Sequence, residues 1–501
     1  MDSLTPLGTG AWLFIGVYLF SLIGIGFLAL AARRENTMAD FYLAGNGFGF
    51  TVLFLTLFAT QYSGNTFFAF TGATYRIGYP WILSLHFMTA VVICYLIYAP
   101  KLYQLAKTKH YVTPSDYVQD RFQHRGLSLL VAIIMIIALC NFLLAQLMAM
   151  GRAMQGLSHA NGDHAYIGGV IILALIMVVY GTLGGLRAVA WTDAIQGVTL
   201  AIGFVILFYL LLDYYGPIGE ATSKLLQEDL ATGSRKTRPP DANTSRAWLS
   251  YVFTAGLAVS LYPQAIQRIY AAKSAAVLRR SLGVMVFMPL PTMIIALTAG
   301  IMAAAYIPGL EAAAADQIFG RVLRDIQSHS DFGYGLVVVL LAAVLAAMMS
   351  TADSALLSIS SMFTKDIYAQ YIRPGAEEKH LTMVGKLCSW VLVSLLVALA
   401  IVLRNHASLV AIMDRKLDLL VQLVPIFMLG VRWPGIRSTP CLLGLAVGVS
   451  LALIIPFGGF DFVVKGKIYG FHPGLVALLP NLLIVVLGSY FLPVKGIKSR
   501  A

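Results

Sequence analysis

Oxygen-bearing side chains gather in one apolar stretch of the sequence, Ala346-Ala347-Met348-Met349-Ser350-Thr351-Ala352-Asp353-Ser354, followed by Ser358 and Ser361. In a helix, Ser350 and Thr351 lie three and four residues beyond Ala347, so their hydroxyls stand beside its carbonyl on one face. Three oxygens so placed suit a small hard cation, which prefers carbonyl, hydroxyl and carboxylate ligands to nitrogen or sulfur. The same hydroxyls also suit a plainer role, bonding back to helix carbonyls or gluing the helix to a neighbour. Spacing alone leaves both open. Asp353 is an ionisable group inside an apolar segment and therefore a functional candidate. Asp193 has two readings: an ion ligand, or, with Gln196 three residues later, an ordinary helix N-cap and capping box.

A second kind of chemistry needs backbone rather than side chains. Ala59-Thr60-Gln61-Tyr62-Ser63-Gly64-Asn65-Thr66 interrupts a Phe- and Leu-rich stretch with polar residues. Tyr262-Pro263-Gln264 interrupts another, where Pro263 lacks an N–H and cannot continue a regular ladder. A broken helix frees amides and carbonyls that must be satisfied by protein, water or a ligand. Between two such breaks, the amides of Ser63, Gly64 and Asn65 and the side chains of Asn65, Thr66 and Gln264 are candidates to hold a polar solute. The positive end of a half-helix favours a carboxylate there. Gln146 and His86 are further polar residues within apolar stretches, although His86 is better explained as a hydrogen-bonded packing residue. Asp414-Arg415-Lys416-Leu417-Asp418 places four charges in five residues, each costing roughly 2.5–3.5 kcal/mol at a membrane helix centre. Arg415 and Asp418 can pair at i, i+3. Asp414 and Lys416 then need water, a neighbouring helix or the solute, unless the whole run is a solvated loop.

The elements that must position these residues are membrane spans. Of the 501 residues 59% are hydrophobic and only 12% charged, whereas soluble chains carry about 25% charged residues. The net charge of +12 does not indicate nucleic acid, because the basic residues are scattered between apolar runs. About 20 apolar residues cross a bilayer core, and thirteen runs qualify: 10–32, 47–76, 80–105, 126–157, 163–186, 191–214, 247–268, 282–307, 332–364, 381–403, 407–431, 438–457 and 472–494. The first run reads as a span rather than a cleaved leader. With Arg33 and Arg34 placed in the cytoplasm, most of the 35 Lys and Arg residues, Arg268 among them, fall in cytoplasmic loops or the tail. That sets the N-terminus outside and the C-terminus inside a plasma membrane. Cys94, Cys140, Cys388 and Cys441 match neither a disulfide framework nor a metal site. No nucleophile and base pair marks an enzyme.

Four motifs then stand in order on these elements: Phe41-Tyr42-Leu43-Ala44-Gly45, Gly184-Gly185-Leu186-Arg187-Ala188-Val189-Ala190-Trp191-Thr192-Asp193 with Gln196, Gln267-Arg268, and Ala347-Met348-Met349-Ser350-Thr351. Through them the chain resembles the sodium:solute symporter family, whose bacterial members carry proline, pantothenate, monocarboxylates, sialic acid and sugars. The resemblance implies an all-α polytopic fold of the leucine-transporter type, with inverted five-helix repeats at 47–214 and 247–431. These are flanked by a first span and loop at 1–46, joined by an outer loop at 215–246, and followed by two spans and a tail at 432–501. It implies Na+ as the coupling ion, held by the carbonyls of Ala59, Tyr62 and Ala347 and the hydroxyls of Ser350 and Thr351. A second sodium site of some relatives falls on Asp193, Thr351, Asp353 and Ser354. Gln61 stands where proline transporters carry aspartate, and Ala258 where sugar transporters place an aromatic gate, so neither solute is favoured. The expectation is a symporter of a small polar, carboxylate-bearing solute, partnered by sodium and membrane lipid, with a monomer sufficient for transport. Proton coupling and solute sensing remain alternatives, though the tail beyond Lys495 is too short for a signalling module.

Overall fold

The computed structural model describes residues 8–33, 35–62, 64–157, 162–310, 318–404, 409–464 and 466–491. Helices dominate: α1 (Thr9–Ala31), α2 (Phe50–Gln61), α3 (Gly64–Ile77), α4 (Leu83–Lys109), α5 (Arg125–Leu157), α6 (Gly162–Tyr215), α7 (Ala242–Ser260), α8 (Pro263–Ala271), α9 (Ala275–Met285), α10 (Pro289–Tyr306), α11 (Asp331–Met362), α12 (Glu378–Val402), α13 (Leu409–Leu420), α14 (Ser438–Phe457) and α15 (Pro473–Phe491). The strands found among the described residues form one small antiparallel hairpin, Val463–Val464 with Lys467–Ile468.

Nine helices among the described residues are long and apolar enough to cross a membrane, or ten if the bent pair α7 and α8 is one span. This is fewer than the thirteen runs read from hydropathy, for physical reasons. Spans 2 and 11 are broken into short pieces, and spans 5 and 6 run together in α6. A 54-residue helix would be about 80 Å long at 1.5 Å per residue, far more than a bilayer core of about 30 Å. α6 turns at Gly185, where φ is 60° and ψ −148°. A Cβ there would collide with the Phe41 carbonyl, so the turn and the close approach both require glycine. Asp40, in the short helix Met38–Leu43, pins this corner by pairing with Arg187 at 2.8 Å and Arg33 at 3.5 Å.

Water-facing proteins bury most of their large apolar side chains, yet Leu13 is 68% and Phe20 60% exposed on α1. Such a surface is suited to lipid. The core instead lies where α5, α6 and α11 pack on one another; α11 is buried along nearly all its length from Val337 to Met362. Close packing rests on small residues, since Gly26 on α1 meets the Tyr180 backbone and Gly184 fits between Ala29 and Ala188. All four cysteines are free.

Candidate functional site

Both expected backbone breaks are present. α2 ends at Gln61, and Tyr62 leaves helical geometry with φ −115° and ψ 88° before α3 begins at Gly64. α7 ends at Ser260 and α8 begins at Pro263, with a 50° bend between them. Proline is tolerated at the first position of α8 because that N–H has no helical partner in any case. α2 and α8 each pack against α11, so both breaks adjoin its hydroxyl-rich face.

Four elements converge on one buried ion pair. Arg268 of α8 and Asp193 of α6 are both fully buried, with Nη2 and Oδ2 3.0 Å apart. The guanidinium also donates through Nε to Thr56 Oγ1 of α2 at 2.8 Å, through Nη1 to the Gln264 carbonyl at 3.1 Å, and through Nη2 to Ser354 Oγ of α11 at 2.7 Å. Asp193 in turn accepts from Thr56 and from Ser350. Every guanidinium nitrogen and both carboxylate oxygens therefore have partners, which is the condition for keeping such a pair out of water. Gln267, the neighbour of Arg268, reaches α11 as well: Ser358 donates to its Oε1 at 2.5 Å and its Nε2 donates to Ser361 Oγ at 2.7 Å.

This geometry overturns two readings of the sequence. Asp193 is not an N-cap, because α6 continues helically through it and its carboxylate faces side chains of other helices. The capping box is absent too, since Gln196 is buried with neither amide atom hydrogen-bonded. Arg268 is no loop cation; the helical turn that follows Pro263 carries it into the core. Hydropathy could not separate these cases, because a charge near a span end scores alike whether it faces water or a carboxylate. The signal available was a paired one: a carboxylate and a guanidinium of opposite charge, each in one of the four motifs, Asp193 after Trp191-Thr192 and Arg268 after Gln267. Thr56 was missed because an ordinary helical threonine has no sequence signature.

The residues expected around sodium are divided. Ala59 and Tyr62 are buried at the end of α2, and Ala347, Ser350 and Thr351 are buried on α11. Thr351 donates to the Ala347 carbonyl at 2.9 Å, whereas Ser350 turns to Asp193. Of the second set, Asp193 and Ser354 meet through Arg268, and Ser354 also donates to the Ser350 carbonyl at 2.7 Å. Asp353 is fully buried; its Oδ1 lies 3.4 Å from Ser354 Oγ and its Oδ2 has no hydrogen-bond partner. The donor set is all oxygen apart from Arg268, which fits a hard monovalent cation.

Among the solute candidates, Gln146 of α5 and Gln264 of α8 are buried, and neither amide has a side-chain partner for its nitrogen or oxygen. An unpaired buried polar group costs about 1–3 kcal/mol, so two such amides are expensive unless something else meets them. Lys416 of α13 is only 3% exposed, with Nζ 3.6 Å from the Phe142 ring centroid and 5.3 Å from that of Tyr262. Asp418 is 1% exposed, pairs with Arg415 at 3.1 Å and accepts from the Gly474 amide at 2.8 Å. Lys416 and Asp418 are thus buried in a helix and not part of a solvated loop. His86 is exposed near the start of α4, its ring 6.4 Å from Trp248, and shares no contact with these groups. Ser63 and the side chains of Gly64, Asn65, Thr66 and Asp414 lie outside the described residues.

A helical membrane protein with two broken helices flanking a buried polar centre has the build of a secondary transporter. The sequence model of the sodium:solute symporter family matches residues 41–448, and the chain belongs to that family. It is 26% identical over 488 residues to the sodium/pantothenate symporter of Escherichia coli (strain K12), covering 95% of each protein. It is 25% identical over 473 residues to the sodium/glucose cotransporter of Vibrio parahaemolyticus, covering 88% of this chain and 84% of that one. In fold it resembles a Na+-coupled sialic acid symporter solved in a substrate-bound outward-open state, with a TM-score of 0.77 at 18% identity over 97% of this chain and 98% of the other. It is a multi-pass membrane transporter and not an enzyme.

Proposed function

We propose that the chain is a sodium-coupled symporter that imports a small polar, carboxylate-bearing solute by alternating access of two inverted repeats, 47–214 and 247–431. In this reading the polypeptide crosses a plasma membrane thirteen times, counting each broken pair once and α6 twice, with the N-terminus outside. The single observation that carries it is the meeting of both helix breaks with the hydroxyl-bearing face of α11 around a fully buried Asp193–Arg268 pair. Sodium enters as co-substrate at the carbonyls of Ala59, Tyr62 and Ala347 and the hydroxyls of Ser350 and Thr351. Those atoms come from two elements that can separate when the repeats rock, so binding the ion favours one arrangement of them over the other.

A second ion at Asp193, Thr351, Asp353 and Ser354 is disfavoured in this arrangement. The guanidinium of Arg268 already engages Asp193 and Ser354, so a tethered cation stands among those residues and one sodium per cycle is the expected stoichiometry. The deciding experiment is uptake into proteoliposomes of labelled monocarboxylates, vitamins and amino acids, with sodium or choline outside. A solute accumulated only under an inward sodium gradient is the expected result. Accumulation driven equally by choline plus a proton gradient would replace sodium with proton coupling.

A further inference from the structure

We propose that Tyr98 of α4 is a positioning residue for the transported solute: its hydroxyl fixes the break in span 7 from behind and so aims Gln264, while taking no part in holding sodium. The inference rests on the symporter reading and extends it to a residue outside the candidate site.

A helix that stops inside a membrane leaves its last four carbonyls without helical partners, and no water is at hand to take them. In α7 these carbonyls belong to Leu257, Ala258, Val259 and Ser260, and each has a donor. Ser260 Oγ donates to the Leu257 carbonyl at 2.8 Å, the Leu261 amide to that of Ala258 at 3.0 Å, and the Tyr262 amide to that of Val259 at 3.2 Å. The Ser260 carbonyl accepts from the hydroxyl of Tyr98. Tyr95, one turn earlier on the same face of α4, adds a second donor to Val259 at 3.3 Å. Among the described residues, only the Ser260 carbonyl depends on another helix alone. Tyr98 is wholly buried, and a buried tyrosine hydroxyl usually finds such a partner.

The bond to Ser260 governs direction. Leu261 and Tyr262 alone carry the chain from α7 to α8 through a 50° bend, and the ring of Pro263 fixes the next φ. Gln264 follows at once. It is buried with both amide atoms unpartnered, so the backbone before it, and not a bond of its own, sets where its carboxamide points. The rest of α8 is anchored independently, by the four hydrogen bonds of Arg268 and by the Phe48 amide on the Ala271 carbonyl at 3.1 Å. Losing the Tyr98 hydroxyl therefore loosens the break and leaves α8, with its contacts to α2 and α11, in place. The proposed sodium ligands lie on those two helices.

The test uses the detergent-purified full-length protein, free of its four native cysteines, with Gln264→Cys as reporter. In saturating sodium, Tyr98→Phe should raise the rate at which methyl methanethiosulfonate modifies Cys at 264 by about ten-fold. Tyr95→Phe should change it less than about two-fold, because the Tyr262 amide still holds Val259. A Gln146→Cys reporter on α5 should respond to neither. With Gln264 intact, Tyr98→Phe should leave the sodium concentration for half of sodium's effect on melting temperature within about two-fold of wild type. In proteoliposomes given labelled lactate, pantothenate or proline, the solute that wild type accumulates should need about five-fold more for half-maximal uptake. Should none be accumulated, the reporter rates and the sodium midpoint decide. Should Tyr98→Phe not fold, Tyr98→3-fluorotyrosine, nearly the same size with a stronger phenolic donor, should slow modification at 264 about two-fold. An unchanged rate at 264, an equal rise at 146, or a sodium midpoint shifted as far as the solute's would each overturn the proposal. A melting temperature that ignores sodium altogether would instead defeat the sodium-coupled reading and leave the comparison of the two reporters standing.

Discussion

Arg268 shows how much one buried side chain can commit a structure to. Its guanidinium makes four buried hydrogen bonds, one within α8 and one each to α2, α6 and α11. Removing one member of a buried pair strands the other, at a cost of about 3–5 kcal/mol. Arg268→Met should therefore lower the thermal stability of the purified protein sharply, and Asp193→Asn should do so as well, because it leaves the buried guanidinium without its countercharge. The double variant should be more stable than Arg268→Met, and a thermal-unfolding cycle that finds the two losses simply additive would show that the pair is not coupled. Two neighbouring hydroxyls separate structure from ion binding. Thr351 bonds only within its own helix, so Thr351→Ala should raise the sodium concentration for half-maximal uptake several-fold with little loss of folded protein. Ser350→Ala should affect both, because Ser350 also bonds to Asp193. Sodium titrations on equal amounts of folded protein distinguish the two.

At the scale of elements, the longest connection is not a loose loop. The helix Ile218–Thr232 is closed by Gly233 in the left-handed conformation, and the returning chain wraps around Asp229. That carboxylate accepts from the Lys236 amide at 3.1 Å, the Thr237 amide at 2.7 Å and the Thr237 hydroxyl at 2.6 Å, and also from Ser234. Burial alone would raise its pKa; the hydrogen bonds to the charged form outweigh burial and hold it at about 2. An aspartate titrates near 3.9 when unfolded, and a folded value below that makes the charged form the stabilising one. The contribution is therefore complete about a unit above the unfolded value and is lost as pH falls through the folded value of about 2. Melting temperatures of wild type and Asp229→Asn should differ at pH 6, draw together as pH falls below about 4, and converge only below about pH 2. A constant gap across that range would assign Asp229 no role in the acid response.

On the scale of the whole molecule, orientation is the property that sorts every other claim into outside and inside. The segment around Ser234 and the turn before Glu377 flank helices on opposite sides in the proposed topology. In a background free of the four native cysteines, Ser234→Cys should react with a membrane-impermeant maleimide in intact cells. Glu377→Cys should react only after the membrane is opened. The reverse pattern would invert the thirteen-span arrangement and place Arg187 and Lys386 outside.

What was legible in the sequence by itself follows from local rules. Long apolar runs must be spans because an unpaired backbone is intolerable in hydrocarbon, and α1, α4, α5, α12, α14 and α15 fall where such runs predicted them. Pro263 announced the break at Tyr262 because it lacks a donor, and the i, i+3 spacing of Arg415 and Asp418 announced their ion pair. The polar insertion after Ala59 likewise marked the interruption of span 2. Partnerships between distant residues were not legible. Asp193 and Arg268 are 75 positions apart, and a helix cap or a loop cation accounts for either one equally well in a linear chain. Only the packing of α8 against α2 and α11 decides that they neutralise each other. Lys416 is the same case: hydropathy counts it as a cost, whereas the tertiary structure buries it with its ammonium against Phe142 and Tyr262. Backbone regularity is written in neighbouring residues, but electrostatic compensation inside a membrane protein depends on which helices meet.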